Sequence, residues 1–140
     1  MSDRKILIDH DGRQFTGEVM SVRSTRLGYN DHGVFTAVLN LDGSSNSAVS
    51  LSDYVLDTPI RDGGKFLGRG ATAYGMDHIL RVMKTVGVSN WEDLVGEKLL
   101  VLHEGPGGWG SRPVGIAHLT DENKIFIYQD HADAWREKVA

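Results

Sequence analysis

The chain has 140 residues, 40% of them hydrophobic, which is the size of one ordinary domain with enough apolar material for a core. A formal net charge of −4 argues against a general nucleic-acid coat, because binding by counterion release needs a clustered basic surface. The absence of cysteine excludes disulfides, thiolate zinc sites and a cysteine nucleophile, and it accords with a cytoplasmic protein.

Met1–Lys5 leads into only a short apolar run, Ile6-Leu7-Ile8, too short for a signal sequence or a membrane span, so a soluble intracellular protein without a membrane partner is expected. Strand signals then dominate. Lys5–Ile8, Gln14–Val22 and Val34–Leu41 carry β-branched and aromatic residues, and Asp11-Gly12 between the first two is a hairpin signal. The apolar run of Val34–Leu41 is nearly continuous, which predicts a mid-sheet strand covered on both faces. Ser44–Ser52 is polar and small; it predicts an edge strand around Ala48–Leu51, running into Tyr54-Val55-Leu56 until Pro59 stops it. An unprotected edge of this kind suits pairing with a second copy, hence a homo-oligomer.

Between residues 72 and 86 the period changes. Met76, Ile79, Leu80, Met83 and Val86 recur at helical spacing, Thr72 suits the N-cap and Gly87 the left-handed stop. Ser89 and Glu92 have capping-box spacing for a second short helical turn ended by Gly96. Strands return at Lys98–His103, Val114–Leu119 and Lys124–Tyr128, and His131–Val139 reads as a short polar terminal helix. The order predicts one α+β domain over residues 1–140: a mainly antiparallel sheet, one main helix packed on it and a short C-terminal helix.

Glycines cluster beside His, Arg, Tyr and Trp in three loop-like stretches, Gly28–Gly33, Gly63–Gly75 and Gly105–Gly115. Such segments bring backbone N–H groups close to a ligand, and they also make tight turns. In the first, Tyr29 would stack, Asn30 or Asp31 would accept hydrogen bonds and His32 would act as a switchable donor or general base; a plain hairpin turn explains the same residues. In the second, glycines before a helix N-terminus with Lys65 and Arg69 nearby would suit a phosphate or carboxylate, beside Tyr74, although the Gly-Lys-Ser/Thr ending of a P-loop is missing; a mobile loop with a basic tip and close helix packing at Gly75 explains the same residues. In the third, Trp109 among glycines beside Arg112 suggests a stacking platform and a charge clamp, against a hairpin whose Trp folds back on the sheet.

The histidines carry no complete signature. Asp9-His10-Asp11 fits a turn, His78 a packed helix position and His118 a satisfied strand residue, and no metal-binding or nucleophile motif occurs, so no metal, cofactor or catalytic residue is assigned.

Three segments taken together resemble a family of small proteins encoded by phages and prophages: Leu27-Gly28-Tyr29-Asn30-Asp31-His32-Gly33 before a central strand, Gly70-Ala71-Thr72-Ala73-Tyr74-Gly75 entering a helix, and the Trp91 turn after it. Gly43–Ala48 departs from the tyrosine-, glycine- and glutamine-rich segment which that family carries after the strand. The resemblance implies a phage origin and brings no activity. The reading is therefore a non-enzymatic phage protein acting against host defence, which sequesters a small anionic or nucleotide-like signal or blocks a host defence protein. Its contacts would come from Tyr29, Asp31, His32, Arg69, Tyr74, Trp109 and Arg112. The alternatives are a small hydrolase or nuclease-like enzyme using His32 or His103 with Asp31 or Glu104, and a phage structural or assembly accessory protein.

Overall fold

The computed structural model describes residues 5–43, 47–52, 54–105 and 112–139. Among the described residues nine strands are formed: β1 (Lys5–His10), β2 (Arg13–Asp31), β3 (Val34–Asp42), β4 (Ala48–Leu51), β5 (Asp57–Asp62), β6 (Lys65–Ala71), β7 (Lys98–Glu104), β8 (Pro113–Ala117) and β9 (Ile125–Ile127). Helix α1 (Ala73–Val86) follows β6, a 3-10 turn spans Trp91–Leu94, and α2 (Tyr128–Val139) closes the chain. The fold is α+β, mainly antiparallel sheet, as the order of the elements predicts.

β2 organises the main sheet, whose strands run β4-β3-β2-β7-β8-β9. One edge of β2 pairs first with β1, from Arg13 to Glu18, and then with β3, from Ser21 to Asp31. The opposite edge pairs with β7 between Phe15 and Ser21. β3 is one place from the sheet edge; after the buried pair Thr36 and Ala37, Leu39 and Leu41 are buried between half-buried neighbours. It is thus covered mainly on one face; β4 beside it is the edge strand.

β7 is covered on both faces. Leu99 and Val101 join Val82 and Val86 of α1 in the larger core, with Met20, Leu39, Leu41 and Ile116, while Leu100 and Leu102 point into a second cluster with Phe15 and Ala117. Full burial of each such side chain is worth roughly 1.5–3 kcal/mol, so the alternation along β7 fixes its register as firmly as its backbone ladder does.

Two local expectations hold and two do not. Thr72 Oγ1 accepts the Gly75 N–H at 2.8 Å to cap α1, and Gly87 ends the helix at φ 97°. The 3-10 turn, however, is entered through Asn90 without a side-chain cap, so Ser89 and Glu92 form no capping box. Pro59 does not stop a strand either: β5 runs through it and pairs with β6 in a two-stranded ribbon, where Pro59 lies opposite Arg69.

Candidate functional site

The first two glycine-rich stretches differ from open loops. Residues 28–31 complete β2, and only His32 (φ 51°) and Gly33 (φ 82°) turn the chain, the pair of positive angles that a two-residue hairpin requires. Residues 65–71 form β6. Two of the backbone N–H groups expected to face an anion at the start of α1 are engaged within the helix: Gly75 donates to Thr72 Oγ1 and Met76 to the Thr72 carbonyl. Gly75 itself serves close packing, since a Cβ there would fall on the Leu56 carbonyl oxygen. Residues 106–111, and with them Trp109, lie outside the described residues.

The stretches also separate. The His32 turn is at the C-terminal end of β2, whereas the Gly105 N–H donates to the Gln14 carbonyl at its N-terminal end. The first and second stretches do approach each other. Tyr29, 65% exposed, sets its ring edge-on to Phe35, and the Phe35 N–H donates to Asp57 Oδ1 at 3.1 Å. Asp57 accepts two further bonds from Arg69, from Nε and from the second guanidinium nitrogen, each at 2.9 Å. Hydrogen bonding to Asp57 holds Arg69 above its ordinary pKa, with Tyr29 a smaller contributor, and the same bonding holds Asp57 below the usual carboxylate range. Arg69 is therefore a clamp joining β5 to β6. The side chain of Asp31 lies outside the described residues, and His32 is exposed on its turn.

Tyr74 faces a cleft of about 470 Å³ between the 54–58 segment, the start of α1 and one face of α2. Its apolar walls are Tyr54, Val55, Tyr74, Ala132 and Trp135; Asp57, Gln129 and Arg136 supply polar groups. This is the composition of a small-molecule site, rings and aliphatics with a few polar groups at the edge. Burial, with Tyr54 adding to it, pushes the Tyr74 hydroxyl up to about 12, so it faces the cleft as a neutral phenol. A second cleft of about 640 Å³ adjoins the first, with Leu51, Val114, Ile127 and Tyr128 on its floor and Arg13, Glu104, Arg112 and Asp130 at its rim. Arg112 belongs here and Tyr74 to the first cleft; Tyr54 and Gln129 line both.

The shared wall is a chain of hydrogen bonds. Tyr54 donates to Gln129 Oε1 at 3.0 Å, Gln129 Nε2 donates to Asp133 Oδ1 at 2.9 Å, and Arg136 donates to the same oxygen at 3.1 Å. Sequence reasoning missed Tyr54, Gln129, Trp135 and Arg136. For the last three, the usable signal was the helical spacing of Tyr128, Ala132 and Trp135 within the tail.

Behind Tyr74 lies a buried cluster of rings. His78 is 4% exposed and has Tyr54, Tyr74, Phe126, Tyr128 and His131 as ring neighbours, with centroids 5.1–6.3 Å away. Desolvation, with His131 adding to it, lowers its pKa to about 4, so His78 is neutral at physiological pH. Asp77 Oδ2 accepts from His131 Nε2 at 2.7 Å, Arg81 Nε at 3.0 Å and Trp135 Nε1 at 3.3 Å. Burial works to raise the pKa of Asp77, but these three donors outweigh it and hold the value at about 2. The Nδ1 atoms of His78 and His131 are buried without a partner. This network pins α2, and hence one wall of both clefts, to α1.

Two of the other histidines are placed by local contacts. His118 Nδ1 accepts from the backbone N–H of Thr120 and Asp121, and His10 lies 3.6 Å from Asp11 beside the first hairpin. His103 is on β7, opposite Thr16, and neither it nor His32 is among the described residues lining the two clefts. Among the described residues no group of three His, Asp or Glu could hold a metal ion, and no helix is long and apolar enough to cross a membrane. No family model, curated protein or solved structure matches the chain.

Proposed function

We propose that this chain is a non-enzymatic binding protein whose ligand is a small ring-bearing anion of the nucleotide type, held in the cleft between Tyr54, Tyr74 and Trp135. The observation that carries the reading is the placing of three aromatic side chains and Arg136 around one 470 Å³ hollow. A heterocyclic base stacked on a tyrosine or tryptophan contributes about 1–3 kcal/mol, whichever base it is, and a guanidinium at the rim pairs with phosphate. Together with the resemblance of Leu27–Gly33 and Gly70–Gly75 to phage proteins, this supports a phage protein that sequesters a nucleotide-like signal of the host.

The experiment is a thermal-shift and calorimetric screen with linear and cyclic nucleotides. A ligand at a hundred times its dissociation constant stabilises the fold by about 2.7 kcal/mol, a rise of several degrees in Tm for a domain of this size. Stabilisation that Trp135→Ala removes supports the reading. No stabilisation by any nucleotide overturns it and leaves blockade of a host protein as the function to pursue.

A further inference from the structure

Resting on that reading, we infer that the two adjoining clefts are halves of one bipartite site, divided by the Tyr54–Gln129 hydrogen bond, and that the ligand is a dinucleotide rather than a single nucleotide. Three observations carry this. Tyr54 and Gln129 line both hollows, so their hydrogen-bonded side chains are the wall between them. Each hollow has its own apolar surface, Tyr74 and Trp135 in one and Leu51, Val114, Ile127 and Tyr128 in the other, and each is large enough for a ring system. Each also has a guanidinium, and each guanidinium is paired with a carboxylate that lines the second hollow: Arg136 of the first with Asp133, and Arg13 of the second with Asp130 at 3.1 Å.

The mixture of signs fits this class of ligand. A dinucleotide brings phosphate for Arg136, Arg13 and Arg112, and it brings sugar hydroxyls and exocyclic amines, which donate to Glu104, Asp130 and Asp133. A phosphate captured by Arg136 competes with Asp133 for the same guanidinium. Asp133 then keeps its bond from Gln129, and joining the hollows requires the exposed Tyr54–Gln129 bond to part. The link between the two halves of the ligand would cross at that point.

The test is calorimetric titration with AMP and GMP against the linear dinucleotides pApA and pGpG, using the full chain and the variants Arg112→Ala and Arg13→Ala, both at exposed positions. The inference expects a dinucleotide to bind at least tenfold more tightly than its mononucleotide. It also expects either variant to cut dinucleotide affinity about tenfold with mononucleotide affinity unchanged and the ligand-free Tm within a few degrees of the parent. Mononucleotide binding with no gain for the dinucleotide overturns the bipartite site and leaves the binding reading standing. Equal loss for both ligands in the variants overturns it too, and no binding of either class overturns both.

Discussion

The Tyr54 hydroxyl donates to Gln129 Oε1 at 3.0 Å, joining the segment between β4 and β5 to the first turn of α2 across 75 residues of chain. The bond is solvent-exposed, so its net contribution to stability is at most about 1 kcal/mol. Tyr54→Phe is therefore expected to lower the unfolding free energy by no more than this in urea titrations. Gln129→Ala is expected to cost a similar amount, and the double variant less than the sum, because both remove the same bond.

His78 makes stability depend on pH. Its pKa is about 4 in the folded protein against 6.5 as the ordinary value, so between these values the unfolded chain binds the proton and the folded one does not. The contribution is fully present above pH 6.5 and is lost as pH falls towards 4. At pH 5 the loss is about 2 kcal/mol relative to pH 7, from about 1.4 kcal/mol per pH unit. Urea denaturation across this range should follow that slope, and His78→Leu should flatten it.

Asp77 is the acceptor for three donors, of which the His131 side chain is only 5% exposed. Asp77→Ala leaves the His131 and Trp135 N–H groups without an acceptor at the α1–α2 seam, at a cost of about 2–3 kcal/mol. The same variant should loosen α2, seen as faster amide exchange in residues 128–139, and weaken nucleotide binding.

Gly75→Ala opposes helix propensity to packing. Alanine in a helix interior gains up to about 1 kcal/mol over glycine, but here the added methyl group meets the Leu56 carbonyl, and overpacking against backbone costs about 3 kcal/mol or more. The clash wins, and a lower Tm is expected; a higher one would show that the 56–57 segment yields freely.

Helix α1 was legible because its signals are local: an apolar period, a threonine cap and a glycine stop within sixteen residues. β6 was not. Gly68 and Gly70 and the basic Lys65 and Arg69 read as a loop, either anion-binding or mobile with a basic tip, yet across the ribbon these glycines face Ile60 and Thr58, and Arg69 is taken by Asp57. That partner is twelve residues away, beyond what a window on one segment reveals. The clefts were less legible still. Their walls come from the 54–58 segment, α1, α2 and the β7–β8 strands, so that of the expected contacts Tyr74 lies in one and Arg112 in the other, while Tyr29 and Arg69 gather around Asp57.

The central claim is that a nucleotide-type ligand occupies the cleft walled by Tyr74, Trp135 and Gln129, and two-dimensional NMR during titration with the tightest-binding nucleotide tests it most directly. The account predicts that the Trp135 indole N–H and the amides of Tyr74, Gln129 and Ala132 shift together and saturate at one dissociation constant. Saturable binding with these signals unmoved, and the shifts confined instead to residues 28–33 around the His32 turn, would contradict it.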